Sequence, residues 1–311
     1  MIELDVARHS NLVDPRLHVW GWEVPVYLFL GGLAAGTMIL TSLLALRRAE
    51  RSPALRWLAF AAPVLVSVGM LALFLDLAYK VHVWRLYLAF RWSSPMSWGA
   101  WILIAVYPVT LLLALAGLDD VQAGKAAAWA GRLGLSRFLL AARGMGRRHA
   151  SGLLRWNLAV GAGLGVYTGV LLSTLGARAL WSSALLGPLF LVSGLSTGGA
   201  FLLLFGLAAE ERRDVARWDR VTIGVELALL ALFLAGLGTS GAAGREAAGL
   251  LLGGPYTAPF WSLVVLGGLA VPLLLETLEA RLHLRFTVAT PALILGGGLA
   301  LRFILVAAGQ A

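Results

Sequence analysis

The amino-acid sequence predicts an all-α integral membrane protein with eight transmembrane helices, arranged as two four-helix bundles. Three observations support this fold class. The 311 residues are 59% hydrophobic and only 13% charged, and their mean hydropathy is +0.84. The apolar residues form eight runs, each close to the roughly 20 residues that cross a hydrocarbon core. The basic residues lie mostly in the segments between these runs.

The eight apolar runs define the predicted spans. A soluble protein of this length would need more charged residues to cover its surface, so lipid must surround much of the chain. The 37 glycines agree with this, because glycine allows membrane helices to pack closely. The predicted spans are 24–46, 57–78, 97–117, 155–176, 185–208, 221–239, 259–279 and 287–309.

The distribution of basic residues predicts the orientation. One set of connecting segments holds 17 of the 25 Lys and Arg residues and is therefore expected on the cytoplasmic side; these segments are 47–56, 118–155, 209–220 and 280–286. Both termini are then expected in the periplasm, and 118–154 is expected to form a basic cytoplasmic loop. The net charge of +9 follows from this topology, so it does not indicate a nucleic-acid partner.

An internal repeat relates the two halves of the chain. Gly32–Gly36 in the first span resembles Gly194–Gly198 in the fifth, and a proline pair around the third span recurs around the seventh. Four spans separate the members of each pair, so the two halves run in the same direction. We therefore expect an N-terminal periplasmic segment 1–23, a first bundle 24–176 and a second bundle 177–311.

Ionisable side chains in apolar runs are candidates for function, because burying a charge in lipid is costly. Tyr27 lies one helical turn after the first of these side chains and shares its face. The ionisable candidates are Glu23, Asp76, Glu226, Glu276 and Arg302.

Structural interpretations of these residues remain open at this stage. Glu276 can extend to the cytoplasmic interface beside Arg281. Arg302 can have a purely structural role as the charge partner of Asp76, since the two lie at similar depth. Glu23 can be an interfacial residue in contact with water.

The residue types limit the redox chemistry of the chain. The absence of cysteine excludes disulfides and cysteine-ligated iron–sulfur clusters. None of the five histidines lies in the middle of an apolar run, so we expect no membrane haem and no metal site.

The outer segments are rich in aromatic residues, and two interpretations remain open. The first is an ordinary aromatic belt at the membrane surface. The second is a surface for a partner protein, with a lipid-facing entrance for an apolar ligand. The segment 79–96 is amphipathic and is expected to lie along the membrane surface.

Several motifs together resemble the NrfD/PsrC family, which comprises the membrane subunits of polysulfide-reductase-like complexes. The similarity extends from Trp20 to Gly309, about the whole sequence. The matching segments are Trp20–Trp22, Tyr27–Gly36, Ser94–Gly99, Gly165–Ser173 and Leu301–Phe303, followed by Gly309.

This resemblance implies a quinone-coupled function at the bacterial inner membrane. Such subunits bind a quinone or quinol near the periplasmic face and carry no haem or iron–sulfur cluster of their own. They exchange electrons with a periplasmic, ferredoxin-like iron–sulfur subunit, which connects to a molybdopterin or multihaem catalytic subunit. The bound substrate is then menaquinone or ubiquinone.

The resemblance also implies roles for individual residues. Glu23 and Tyr27 occupy positions that approach the quinone, where some members have Asn and His. Tyr167 matches a quinone-contacting tyrosine, Asp76 matches an acidic proton donor or acceptor, and His82 is a further quinone-binding candidate.

Proton transfer is the second expected role of the ionisable residues. A carboxylate or phenol can exchange hydrogen bonds and protons with a quinone ring in a low-dielectric pocket. We assign proton transfer to Asp76, Glu226, Glu276 and Arg302.

Two other function classes remain. A secondary transporter or an ion-translocating subunit without a redox role would also show parallel repeats and buried charges. Most of the candidate residues lie nearer the membrane faces than the midplane, which argues against a transporter. A purely structural anchor would need only one or two spans and no buried carboxylates.

Overall fold

A computed structural model describes residues 20–48, 52–77, 79–88, 90–175, 178–282 and 288–311 of the chain. Within these ranges all regular secondary structure is helical, and eight helices are long and apolar enough to cross a membrane. The predicted all-helical fold with eight candidate spans is therefore confirmed. The N-terminal segment 1–23 lies largely outside the described residues.

The eight helices, called spans 1 to 8 below, follow the predicted order. The largest difference concerns span 6, which begins at Ala209 rather than at 221 because its helix continues through a charged stretch that hydropathy excludes. The spans are Glu23–Arg47, Pro53–Asp76, Pro95–Gly117, Ala150–Ser173, Leu186–Leu203, Ala209–Thr239, Thr257–Leu282 and Ala289–Gln310.

Spans 1 and 5 form the centre of the protein. In each, 72% of the most apolar stretch is buried, compared with 28–56% in the other six spans. Span 1 packs against spans 2, 4, 5 and 8, and span 5 packs against spans 1, 4, 6 and 8. Span 3 packs against span 4, and span 7 against span 8.

The two glycine-rich repeat segments lie in direct contact with each other. A Cβ added to Gly36 would overlap the carbonyl group of Gly194, and one added to Gly198 would lie 2.6 Å from the carbonyl carbon of Gly36. The backbones of spans 1 and 5 therefore touch where both helices lack side chains. Small residues commonly allow this approach between membrane helices, because lipid provides little hydrophobic force for their association.

Two further pairs of spans approach through glycine. Gly169 of span 4 lies against the backbone of Leu186 at the start of span 5. Gly268 of span 7 faces Gly297 of span 8, and a Cβ on Gly268 would lie 2.6 Å from the Cα of Gly297. Span 7 is π-helical over Phe260–Ala270, just before Pro272, which cannot donate a backbone hydrogen bond.

Polar contacts connect spans 1, 2 and 6 at the end that the charge distribution assigns to the cytoplasm. Arg48 donates to Asp214 at 2.6 Å and also pairs with Glu210, and these hydrogen bonds raise the pKa of Arg48. The buried Glu211 accepts hydrogen bonds from the backbone N–H groups of Ser52 and Ala208, both at 3.0 Å. Glu211 thereby caps the N-termini of spans 2 and 6 together.

The predicted basic loop 118–154 is mostly helical. It contains the helices Asp120–Gly131 and Ser136–Arg148, and the second packs against span 3. Arg143 donates to Asp120 at 2.6 Å, and this hydrogen bond lowers the pKa of the Asp120 carboxyl group. The loop therefore forms two helices, of which the second, with four Arg residues, is basic.

The two described ends of the chain meet on the opposite face. The backbone N–H of Trp20 donates to Gln310 Oε1 at 2.9 Å, and Gln310 Nε2 donates back to the Trp20 carbonyl at 3.1 Å. The Trp181 indole occupies the space beside Gly309 and donates to the carbonyl of Leu305 at 2.8 Å. Both ends of the described polypeptide therefore lie on one side.

The contact between spans 1 and 5 leads to a stability prediction. Gly36→Ala should lower the unfolding free energy by about 1–3 kcal/mol, because its Cβ meets rigid backbone rather than a movable side chain. The matched control is Gly236→Ala in span 6, where an added Cβ has no neighbour within 4 Å. Thermal unfolding in detergent should show a lower midpoint for the first variant only. Equal midpoints for both variants would contradict the close contact.

Candidate functional site

Two buried tyrosines form the centre of the first polar group. Tyr27 of span 1 and Tyr167 of span 4 are 3% and 8% exposed, and their hydroxyl groups lie close enough to interact with each other. Tyr87, in the segment between spans 2 and 3, lies close enough to interact electrostatically with both. The structure thus brings together two tyrosines that the sequence placed in different spans.

Glycines make room for both tyrosine rings. A Cβ added to Gly99 would overlap the ring and hydroxyl of Tyr167, so the ring lies directly on the backbone of span 3. A Cβ on Gly69 of span 2 would be 3.6 Å from the Tyr27 ring. Gly99 ends the Ser94–Gly99 motif, so one physical role of this motif is to accommodate Tyr167.

Two carboxyl groups lie at the same end of the first four spans. Glu23 is in the first turn of span 1, and Asp76 is the last residue of span 2. Both are partly exposed, and their carboxyl groups are close enough to repel each other. Glu23 lies one helical turn before Tyr27. The arrangement therefore combines hydrogen-bond donors and proton acceptors at one end of spans 1, 2 and 4.

His82 lies apart from the tyrosine pair. It is exposed in the helical turn Lys80–His82 and lines an open cleft of about 270 Å³. Leu77, which follows Asp76 in the sequence, lines the cleft, and so do three residues of the Ser94–Gly99 motif. Because Gly99 contacts the ring of Tyr167, the cleft adjoins the two tyrosines. The residues lining it are Leu77, Tyr79, His82, Val83, Arg85, Ser94, Met96 and Ser97.

An aromatic surface lies next to this cleft. Phe90 makes edge-to-face ring contacts with Trp92, Trp98 and Trp101, with centroids 4.8–5.8 Å apart. The Trp98 indole also donates to the carbonyl of Trp92 at 2.8 Å. These four rings are all exposed, so they remain compatible both with a membrane belt and with a docking surface.

A second polar group surrounds Arg302 in span 8. The guanidinium, 1% exposed, donates to Ser193 Oγ and to the carbonyls of Phe190 and Gly298, both at 3.3 Å. The nearest carboxylate to interact with it is that of Glu226 in span 6, which also lies near the Ser193 hydroxyl. Arg302 therefore pairs with spans 5 and 6 and not with Asp76. The pairing with Asp76 considered from sequence is wrong, because similar depth does not imply a shared helix face.

Glu276 does not take the interfacial position that one interpretation of the sequence gave it. Its side chain is 2% exposed and does not extend to the interface beside Arg281. Instead it lies within hydrogen-bonding reach of Asp219, which is 1% exposed in span 6. The Glu276 side chain thus points into the protein.

Asp219 is a polar core residue that the sequence reasoning missed. The predicted span 6 begins at 221, so Asp219 falls in the predicted cytoplasmic segment. The signal that identifies it is the spacing of the buried face of span 6, which continues without a break before 221. That face consists of Glu211, Val215, Asp219, Ile223, Glu226, Leu230, Phe233 and Leu237.

The chemistry of both groups is that of hydrogen bonds and protons. Among the described residues, no group of three or more His, Cys, Asp and Glu side chains is placed to hold a metal ion. The group around Tyr27 and Tyr167 offers phenols and carboxylates to a ligand. The group around Arg302, Asp219 and Glu276 offers a buried arginine, serine hydroxyls and three buried carboxyl groups.

Comparison with known proteins places the whole sequence in one family. Residues 5–311 match the family model described as "Polysulphide reductase, NrfD". A polysulfide reductase polypeptide from Wolinella succinogenes is 31% identical over 307 residues, covering 94% of each protein. Protein NrfD from Escherichia coli is 33% identical over 311 residues, covering 94% of this protein and 95% of the relative. The protein therefore belongs to the NrfD family of polysulphide reductase membrane proteins.

Proposed function

We propose that the protein binds a quinone or quinol at the outer end of spans 1, 2 and 4, and exchanges its electrons with a periplasmic iron–sulfur subunit. The observation that carries the proposal is the buried pair of Tyr27 and Tyr167, whose hydroxyl groups lie close together at the end of the spans that also holds Glu23 and Asp76. The names of the relatives, which include polysulfide reductase, support a place in a redox complex. The substrate is menaquinone or ubiquinone, and the membrane is the bacterial inner membrane.

The tyrosine pair is suited to hold a quinone oxygen. In a pair of hydroxyl groups one donates to the other, and the accepting phenol keeps its own hydrogen for another acceptor. A quinone carbonyl provides that acceptor. The ring of Tyr167 is held over Gly99, so the donor is positioned before the ligand arrives.

The carboxyl groups are suited to accept the protons of a quinol. Oxidation releases two electrons and two protons, and a carboxylate next to the ring can take a proton as the electrons leave. Asp76 is the proposed acceptor, and Glu23 provides a second one. His82 binds the substrate at the adjoining cleft, where it meets a ligand entering from the membrane surface.

We assign the spans to two parallel four-helix bundles, residues 24–176 and 177–311, with both termini in the periplasm. The packing supports this assignment, because contacts of span 1 with spans 2 and 4 correspond to contacts of span 5 with spans 6 and 8. Contacts between spans 3 and 4 correspond likewise to those between spans 7 and 8. The basic helix Ser136–Arg148 of the 118–154 segment supports the orientation.

The partner subunits are a periplasmic ferredoxin-like iron–sulfur protein and a molybdopterin or multihaem catalytic subunit. The aromatic surface around Phe90 and Trp98 is the proposed docking area for the iron–sulfur protein. It adjoins the cleft beside Asp76, so a docked cluster would lie near the quinone. Membrane lipids surround the remaining apolar faces.

A proton path through the second four-helix bundle, toward the quinone site, is part of the proposal. Glu226 and Glu276 lie on the inner side. Glu226 is near Ser193 and Arg302, and Arg302 donates to Ser193. The Arg302 guanidinium lies against Gly32, five residues after Tyr27 on span 1. This order supports a path from the cytoplasm toward the tyrosine pair and Asp76, which would make quinone turnover electrogenic.

A secondary transporter is the alternative function. The observation that favours it is the buried Arg302 with Glu226, since charged pairs deep in the membrane also form substrate sites. Quinone binding distinguishes the two functions. A transporter would not bind a menaquinol analogue at the tyrosine pair, whereas the proposed redox subunit would.

Four substitutions test the quinone site in the purified complex. Glu23→Gln and Asp76→Asn should lower quinol turnover about 100-fold, because each removes a proton acceptor. Tyr27→Phe and Tyr167→Phe should weaken the binding of a menaquinol analogue about tenfold, because each removes a hydrogen bond. Tyr256→Phe, between spans 6 and 7, is the matched control and should have no effect. Wild-type turnover in all four variants would show that the site is elsewhere.

Gly99→Ala tests the positioning of Tyr167 without removing a polar group. The added Cβ overlaps the tyrosine ring, so the ring must move and its hydroxyl leaves the pair. Binding of the quinol analogue should weaken at least as much as in Tyr167→Phe. Gly152→Ala, where an added Cβ has open space, serves as the control. Unchanged affinity in Gly99→Ala would remove the tyrosine pair from the proposal.

Glu226→Gln tests the proton path separately from the quinone site. The charge moved across a proteoliposome membrane per quinol oxidised should fall, because the amide cannot carry a proton between carboxyl groups. The affinity for the quinol analogue should stay the same. Glu246→Gln replaces an exposed glutamate of the helix Ala242–Leu252 and should change neither quantity. A normal charge movement in Glu226→Gln would exclude this residue from the path.

A further inference from the structure

Two carboxyl groups face each other on the inner side of the second bundle. Asp219 of span 6 and Glu276 of span 7 are 1% and 2% exposed, and their carboxyl groups are within hydrogen-bonding reach of each other. Gly199 of span 5 closes the site, since a Cβ there would lie 3.3 Å from the Asp219 carboxyl carbon. The two carboxyl groups are therefore buried among spans 5, 6 and 7.

Three of the four carboxyl oxygens lack a donor among the residues that the structure describes. These oxygens are Asp219 Oδ2 and both Oε atoms of Glu276. Asp219 Oδ1 accepts only a long hydrogen bond of 3.4 Å from the Thr222 hydroxyl. Two ionised carboxylates can only accept, so they cannot bond to each other. One proton placed between them would supply the missing donor and remove one of the two buried charges.

The other groups around the pair do not replace that proton. Ser196 of span 5 lies near Asp219, but its hydroxyl makes no hydrogen bond with any described residue. Arg220 interacts electrostatically with Glu276, but its Nη1 points to the Glu276 backbone carbonyl at 3.5 Å rather than to the carboxylate. Glu226 and Glu279 add negative charge nearby. The surroundings therefore favour a site that holds a proton.

The position of the pair suits the cytoplasmic end of a proton path. Asp219 follows the charged stretch that begins span 6, and the distribution of Lys and Arg assigns this end of the span to the cytoplasm. Glu226 lies seven residues further along the same buried face, a rise of about 10 Å. Glu226 lies near Ser193, whose hydroxyl accepts a hydrogen bond from Arg302. In the series formed by the carboxyl pair, Glu226, Ser193 and Arg302, the carboxyl pair is therefore the member nearest the cytoplasm.

We propose that Asp219 and Glu276 form a two-carboxyl site that holds one shared proton, takes it from the cytoplasm and passes it to Glu226. Because the two sites are about 10 Å apart, water molecules relay the proton: the O–H bond of the carboxylic acid breaks, a water accepts this proton while another water gives one up, and a new O–H bond forms on the Glu226 carboxylate. A hydronium ion from the cytoplasm then reloads the pair and leaves as water. No electrons move in this step. The shared proton does not depend on the proposed quinone function, whereas delivery of the proton toward the quinone rests on that function.

Infrared spectroscopy of the purified full-length protein tests the shared proton directly. At neutral pH the wild type should show a carboxylic-acid carbonyl band from this site that shifts in D₂O. Asp219→Asn and Glu276→Gln should each remove this band, because the new amide donates to the remaining carboxylate and replaces the proton. The double variant should lose the same intensity as either single variant, since both residues share one proton. Glu246→Gln should retain the band.

Two spectroscopic results would overturn the shared proton. One is retention of the band in both single variants, and the other is a double variant that loses twice the intensity of a single one. A sodium ion would also satisfy the carboxyl oxygens, so spectra are compared in choline and sodium buffers. Loss of the wild-type band on adding sodium would identify a cation site instead. Thermal unfolding of each variant confirms that it remains folded.

Charge movement in proteoliposomes containing the complex tests the transfer to Glu226. Asp219→Asn should lower the charge moved per quinol by at least half, while the affinity for a quinol analogue stays unchanged. Wild-type charge movement in this variant would overturn the uptake role. If the wild-type complex neither bound nor oxidised quinol, the proposed function would fail, but the infrared test would still decide the carboxyl pair.

Discussion

The close contact between spans 1 and 5 is the interaction on which the rest of the structure depends. Gly36, Gly194 and Gly198 let two helix backbones touch, so van der Waals contact replaces the hydrophobic force that lipid cannot provide. Spans 4 and 8 each pack against both central helices. Because span 4 carries Tyr167 and span 8 carries Arg302, the same contact positions both polar groups.

The two halves use a similar framework for different chemistry. Within the repeat, Gly31 and Ala34 of span 1 correspond to Ser193 and Ser196 of span 5. The first half therefore has apolar positions at the level where the second half offers hydroxyl groups to buried carboxylates. Its own polar groups gather instead at the outer end, around Tyr27. An apolar scaffold with two separate polar regions can keep substrate chemistry apart from proton entry.

Part of the candidate site could be predicted from the sequence, since charges in apolar runs stand out and the motifs resemble a known family. Tyr27 and Tyr167 are identified in this way, and the structure brings them into contact. The position of Gly99 beneath Tyr167 could not be inferred, because a glycine in a motif does not name its neighbour. Asp219 escapes prediction because a hydropathy boundary excludes it from span 6, although the helical spacing of the buried face includes it.

The number and order of the spans followed from the sequence, because hydropathy is a local property and a lipid-facing backbone must be helical to satisfy its hydrogen bonds. The family followed from short sequence motifs, which are also local. The partners of the polar side chains required the tertiary structure. Helices that are apolar on all sides carry little periodic signal, so the face that meets each neighbour depends on where glycines permit close approach. For that reason Arg302 meets Ser193 rather than Asp76, and Glu276 meets Asp219 rather than the cytoplasmic interface.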